Sequence, residues 1–307
     1  MTVLVYLEHA DVRGGIEIFA ERQIAQRRAE GCEVAVVSTP PADFSDFDEV
    51  VVHKCSDIDT LAKFPPEKTT YYVHDHEPIC PRGYAYTPLK HNCSRPGGVW
   101  PCLLCAAACR NWKAALRRVF SQGRRKAIMA RFNKVVVISQ FMKSRLVANG
   151  IPAEHIVVSP PTITPARVQS VPEPCDLLYV GQLIRGKGVH LLLAAMARMT
   201  RQATLDVVGT GNMQDELKAL AERLGLGARV TWHGFQPNPQ DWMCRAKCVV
   251  VPSFWQEPYG LVAAEAVALG RKTVVFDIGG LKEASQGKAT LVPPGDIDAL
   301  AKALEDV

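Results

Sequence analysis

Two acidic side chains eight residues apart, Glu257 and Glu265, carry the most specific chemistry in the chain. They lie in Pro252-Ser253-Phe254-Trp255-Gln256-Glu257-Pro258-Tyr259-Gly260-Leu261-Val262-Ala263-Ala264-Glu265. The apolar run Cys248-Val249-Val250-Val251 before them predicts a strand, and the alanine-rich stretch after Pro258 predicts a helix that stops at Gly270. Glu257 then falls in a loop at the carboxyl end of a strand, where parallel α/β sheets bind ligands. A helix start offers unpaired N–H groups and a positive dipole end, both suited to phosphate. Glu265, one or two turns inside that helix, can accept two hydrogen bonds from a vicinal diol such as a ribose. Loop acid, amides and inner acid together describe a nucleotide-sugar site. The plain alternative is a pair of solvated helix carboxylates.

The elements that must position these residues alternate in a βαβ rhythm, which predicts parallel sheets. In the first half, strands are expected at Thr2–Leu7, Glu33–Val37, Glu49–His53, Thr69–His74 and Lys134–Ile138. Ile16–Ala29 reads as the first helix, and Ser139 as the cap of a helix over Gln140–Asn149 that Gly150 stops. Prolines from Pro160 to Pro174 place a linker at about 162 to 174. In the second half, strands are expected at Leu177–Val180, Thr204–Val208, Val230–His233, Cys248–Val251, Thr273–Phe276 and Thr290–Val292. Helices are expected at Gly188–Arg198, Asn212–Leu224, Pro239–Ala246, Gly260–Leu269 and Ile297–Glu305. The chain of 307 residues thus divides into an N-terminal Rossmann-like domain, 1–163, and a C-terminal one, 164–307. Two doubly wound domains of this kind would face each other across a cleft.

The charge is +5 overall but uneven. From Pro78 to Ala153 there is no Asp or Glu, and the stretch carries 14 Lys and Arg. Such a block marks a surface facing something anionic. Within Arg110–Lys134, apolar residues from Trp112 to Phe132 are interleaved at helical spacing. That pattern suits a helix on an anionic membrane surface, a groove for a lipid-pyrophosphate acceptor, or an ordinary domain helix. No nucleic-acid module is present. No signal-peptide start or membrane-length apolar run is found, which predicts a cytoplasmic protein, soluble or peripheral at the inner face of the membrane.

Five of the ten cysteines crowd between Cys80 and Cys109, inside a Cys-rich basic insertion at about 78–134. Cys80, Cys93, Cys102 and Cys105 could close a tetrahedral structural zinc site in a loop rich in Gly and Pro, with Cys109 and His91 as spares. An iron–sulfur cluster and ordinary free thiols are the alternatives. No position invites catalysis by this metal.

The second half also carries Val180-Gly181-Gln182-Leu183 with Lys187-Gly188-Val189, Val208-Gly209-Thr210-Gly211, His233-Gly234-Phe235 and Gly279-Gly280-Leu281-Lys282-Glu283. With the glutamate block, these motifs resemble the retaining glycosyltransferases of family 4, which have the GT-B fold of two Rossmann-like domains. The resemblance covers roughly 1–55 and 130–307. It implies sugar transfer, with retention, from a nucleotide-diphosphate sugar of UDP or GDP type to a glycan or lipid-linked acceptor, without a catalytic metal. It assigns Glu257 to the transferred sugar, Glu265 to the ribose, and the amides of Tyr259, Gly260 and Leu261 to the diphosphate. Lys187 would offset the charge of the departing diphosphate. Gln182 stands where the family usually has Arg, and Arg185 is near enough to supply that charge. Gly211 and Phe235 would border the donor, with backbone around Phe235 at the base. Gly14 and Gly15, between the first strand and first helix, would lie near the diphosphate and acceptor. His74, in His74-Asp75-His76, would hydrogen-bond the donor sugar. A UDP-sugar 2-epimerase on the same fold and a non-catalytic metal-stabilised scaffold are the other readings.

Overall fold

The long apolar runs become strands buried on both faces, as parallel sheets require. The computed structural model describes residues 1–8, 15–87, 92–109, 111–163 and 174–307, in two units, Met1–Pro161 and Thr162–Val307. In the first unit the order is β1 Thr2–Leu7, α1 Gly15–Ala29, β2 Glu33–Val37, β3 Glu49–His53, α2 Ile58–Leu61, β4 Thr69–Val73, α3 Val99–Ala107, α4 Trp112–Met129, β5 Lys134–Val137, α5 Gln140–Val147 and β6 Ile156–Val158. Its strands form one parallel sheet in the order β2-β1-β3-β4-β5-β6. Ser139 caps α5 by accepting the Met142 N–H at 3.0 Å.

In the second unit the order is β7 Cys175–Val180, α6 Val189–Met196, β8 Leu205–Val208, α7 Gln214–Arg223, β9 Val230–Gly234, α8 Pro239–Arg245, β10 Ala246–Val251, α9 Leu261–Ala268, β11 Lys272–Phe276, α10 Leu281–Ala284, β12 Thr290–Val292 and α11 Ile297–Glu305. The sheet order is β12-β11-β10-β7-β8-β9, again parallel. Each sheet winds outward from an inner strand and then crosses to that strand's other side. The crossing falls between β1 and β3 in the first sheet and between β7 and β10 in the second. Crevices open at such points beyond the carboxyl ends of the strands.

Three findings differ from the sequence expectation. β6 was not expected; it is three residues long, and Val157 points to solvent, so its pattern is too short to read. Val99–Ala107 is a helix rather than irregular loop, with Pro101 tolerated in its first turn. The residues of α4 read as one apolar stripe divide between two environments: Val119 and Met129 are buried, and Phe132 just beyond, whereas Trp112 and Phe120 are exposed. The linker expected at 162–174 lies largely outside the described residues. Among the described residues, no helix is long and apolar enough to cross a membrane.

Candidate functional site

The second unit's crevice is built by the loops after β7 and β10, whose strands pair directly with Cys248 beside Leu177. The β7 loop makes a tight turn through Arg185–Lys187 into Gly188, which has φ 77°. A Cβ on Gly188 would stand 1.8 Å from the Pro252 carbonyl oxygen, so only glycine lets the two loops close on each other. Gly186 is likewise pressed against the Trp255 ring, and its carbonyl accepts the Phe254 N–H at 3.1 Å.

This closure brings together side chains 70 residues apart: Lys187 Nζ lies 2.6 Å from Glu257 Oε1. Ser253 Oγ donates to the same oxygen at 2.7 Å and Trp255 Nε1 at 3.0 Å. The Lys187 ammonium also sits 5.5 Å from the centre of the Trp255 ring, a cation–π distance. Glu257 is buried. Burial alone would raise its pKa, but the Lys187 charge and the hydrogen bonds from Lys187, Trp255 and Ser253 outweigh it and hold the carboxyl below its ordinary range. The neighbouring Tyr179 phenol is pushed up, first by its own burial and then by the Glu257 charge. All three donors converge on Oε1, which leaves Oε2 as the oxygen able to accept from a ligand. Gly280 N–H holds the Glu257 carbonyl at 2.8 Å, which anchors the acid from behind.

Gly260, at φ 113° and ψ 64°, turns the chain into α9. A Cβ there would come within 2.5 Å of the Leu281 side chain. The amides of Tyr259, Gly260 and Leu261 open this helix, where first-turn N–H groups lack a partner within the helix. Glu265 lies half-buried in the next turn, and Gln240 Nε2 on α8 donates to its Oε1 at 3.4 Å. Arg185 is exposed in the turn before Lys187, and Gln182 uses its carbonyl to accept the Tyr179 hydroxyl at 2.8 Å. Phe235 is 72% exposed. Gly211 packs against backbone: a Cβ there would fall 2.4 Å from the Leu183 carbonyl oxygen.

Sequence reasoning missed one cluster in this unit. Buried Asp206 takes His233 Nε2 at 2.9 Å and also the Arg245 guanidinium. Trp242 packs on His233 with ring centres 4.1 Å apart, and Arg245 lies over Trp242. These contacts tie β8, β9 and α8 together and fix the turn that presents Phe235. The residues are dispersed in sequence, and only their places at strand ends hinted at it.

In the first unit, Gly15 starts α1, and Gly14 lies outside the described residues. His74 follows β4 directly, and its Nε2 pairs with Nδ1 of His53 at 3.0 Å. Phe19, Tyr72 and His53 surround the His74 ring. Burial, and then the nearby Lys54 charge, lower the His74 pKa to about 3, so the ring is neutral. His53 is lowered for the same leading reason. His74 can therefore take part only as a neutral hydrogen-bonding group, with Nε2 already engaged. His53 was not singled out in the sequence, although it ends the strand next to that of His74.

Of the cysteines, Cys102 and Cys105 stand one turn apart on α3, Cys80 N–H bonds the His76 carbonyl at 2.7 Å, and Cys93 N–H bonds the Ala85 carbonyl at 2.7 Å. Cys80 and Cys93 lie close enough for their charge to act on both helix thiols, whose pKa values are raised chiefly by burial. Cys109 Sγ instead donates to the Cys105 carbonyl at 3.3 Å. Among the described residues no three His, Cys, Asp or Glu side chains gather into a metal-holding group, and His91 lies outside them.

Residues 164–307 match the family model described as glycosyl transferases group 1. Glycogen synthase of Mycobacterium tuberculosis is 40% identical over 141 residues, which are 44% of this chain and 34% of that protein. D-inositol 3-phosphate glycosyltransferase 1 of Catenulispora acidiphila is 39% identical over 123 residues, 35% of this chain and 29% of that protein. The chain thus spans about a third of the length of the curated relatives it matches. Among solved structures, Anabaena Alr3699/HepE in complex with UDP and glucose superimposes with a TM-score of 0.73 at 19% identity, covering 100% of this chain and 89% of that one. Sucrose-phosphate synthase of Thermosynechococcus elongatus gives 0.70 at 20% identity, covering 99% and 89%. The fold is the two-sheet α/β architecture of these GT-B glycosyltransferase structures.

Proposed function

We propose that the protein transfers a sugar, with retention of configuration, from a nucleotide-diphosphate sugar to a glycan or lipid-linked acceptor at the cytoplasmic face of a membrane. The observation that carries this reading is the Lys187–Glu257 pair, set at the β7–β10 crossing beside the first turn of α9. The matches over the second unit support it, as do the UDP and UDP-glucose complexes of Alr3699/HepE, which make a UDP-sugar the first donor to try. On binding, the diphosphate would lie against the α9 amides and draw the Lys187 ammonium toward it. Glu257 Oε2 would accept from sugar hydroxyls, and Glu265 from the ribose. The bond from the anomeric carbon to the diphosphate breaks, and the bond to the acceptor oxygen forms on the same face. The acceptor proton passes to the departing phosphate oxygen. Lys187 and the helix amides stabilise the charge that develops there. This chemistry needs no nucleophile or metal ion from the protein.

The test is product analysis with UDP-glucose and a panel of glycan and lipid-linked acceptors, in buffer and in EDTA. The reading expects an α-linked product from the α-linked donor, undiminished by EDTA. Release of UDP and a 2-epimerised free sugar without acceptor would mark an epimerase instead. We also propose a structural zinc on Cys80, Cys93, Cys102 and Cys105, which requires the four thiols to close on one point. Elemental analysis should find about one zinc per chain, and a well-folded metal-free preparation would refute it.

A further inference from the structure

Helices α3 and α4 each have one face spent and one face open. Ala106 of α3 packs with Ala115 and Val119 of α4, and Cys102, Cys109 and Leu116 close around them. The open face of α3 presents Trp100, Leu104, Ala107 and Ala108. Trp100 is 86% exposed and Leu104 83%. Arg95 joins Trp100 and Leu104 in lining a groove of about 630 Å³. The open face of α4 carries Lys113, Arg117, Phe120 and Arg124, with Arg131 two residues past its end. Lys113, Arg117, Phe120 and Arg124 recur at spacings of four, three and four, so they share one side of the helix. Phe120 on this stripe is 65% exposed, and Trp112 stands half-exposed at its start. Arg124 meets the exposed Asp59 of α2 at 2.7 Å and Arg118 meets Glu77 at 3.7 Å; the two helices themselves lie within the acid-free stretch from Pro78 to Ala153.

Large apolar side chains exposed together mark a contact surface rather than chance. Exposed aromatic and leucine side chains on α3 and exposed cations on α4 match the chemistry of an anionic lipid surface, where rings enter the headgroup boundary and ammonium and guanidinium groups meet phosphates. We propose that α3 and α4 form a membrane-docking surface for anionic phospholipid, with Trp100 and Leu104 as the inserting residues and Arg95, Lys113 and Arg117 as the electrostatic contacts. This goes beyond the reading of the second unit and does not depend on it.

The experiment is flotation of the full chain with vesicles of phosphatidylcholine alone or with phosphatidylglycerol added. Three proteins are compared: wild type, Trp100→Ser/Leu104→Ser, and Arg117→Glu. The wild type should float with anionic vesicles and stay behind with neutral ones, and raised salt should release it. Arg117→Glu should weaken partitioning by about fivefold or more, given about 1 kcal/mol for each basic residue near the surface. The double variant should lose more than about tenfold, since it removes both inserting side chains. Circular dichroism spectra and urea-unfolding midpoints matching the wild type would show that the variants remain folded. Equal partitioning of the double variant and wild type overturns the proposal, as does equal binding to both vesicle types. So does light scattering that shows a wild-type dimer and a monomeric double variant, because the apolar face would then serve self-association.

Discussion

The Lys187–Glu257 pair of the second unit and the His53–His74 pair of the first are held in opposite states. In the second, Lys187 and Glu257 meet as charges, and Ser253 and Trp255 keep the carboxylate ionised although it is buried. In the first, His53 and His74 lie stacked among Phe19 and Tyr72, and burial holds both rings neutral. A charged pair with a spare carboxylate oxygen can trade one partner for a phosphate and offer the other to hydroxyls. A neutral imidazole pair can only give and accept hydrogen bonds. Under the proposed function, the difference assigns the diphosphate to the charged pair of the second unit and leaves the histidine pair only hydrogen bonding.

The sharpest way to break this contrast is to remove one group from each side. Lys187→Ala should lower transfer by about 10²–10³, as loss of a group stabilising a developing anion does. It should also destabilise the unit, because Glu257 is left buried without its counter-ion. His74→Ala should cost only about tenfold, the worth of one hydrogen bond. Steady-state kinetics on the two variants decide it: equal losses would mean that the histidine carries comparable chemistry.

Glu265→Ala comes next. Hydrogen bonds to a charged group are worth about 1.5–3 kcal/mol, so donor affinity should fall by about tenfold to a hundredfold, with folding unchanged, in a titration with UDP-glucose.

Acid separates the two units more gently. His53 and His74 have lowered pKa values in the folded chain, so the unfolded chain binds their protons more readily. Their contribution is complete above the ordinary histidine value of 6.5 and declines as pH falls below it toward about 3 for His74. The decline is up to about 1.4 kcal/mol per pH unit for each ring. Glu257 behaves in the same sense over a lower range: its lowered pKa adds stability that is complete above the ordinary value of 4.5 and is lost as pH falls below it through the folded value. Between pH 6.5 and 4.5, amide protection factors in β4 should therefore fall while those in β10 hold. Loss first in β10 would contradict the assignment of charge states.

Much of this arrangement was readable in advance. Strands buried on both faces leave continuous apolar runs such as Cys248–Val251, and Ser139 and Gly150 punctuate their helix as expected. The glutamate block could be placed because strand, loop and helix signals adjoin within it. Contacts made by tertiary pairing were not readable. The Lys187–Glu257 pair depends on β10 lying beside β7, and the Asp206–His233–Arg245 cluster on three elements meeting. Gly211 carries a packing constraint that its motif does not reveal. On α3, the glycines and prolines around Val99–Ala107 masked a helix that tertiary packing on α4 supports. The Arg110–Lys134 stripe mixed core and surface because spacing alone does not say which side of a helix is covered.

The smallest effect expected is at Ser253→Ala, which removes one of three hydrogen bonds to Glu257 Oε1 and should cost about 1 kcal/mol in urea unfolding. A cost several times larger would mean that the serine, not the lysine, keeps the carboxylate charged.

Calorimetric titration of UDP-glucose into the wild type and Lys187→Ala addresses the central assignment most directly. The account predicts one saturable site per wild-type chain, weakened at least about tenfold in the variant by loss of the charge-assisted contact to phosphate. Equal affinity in the two proteins, with the variant folded, would contradict it.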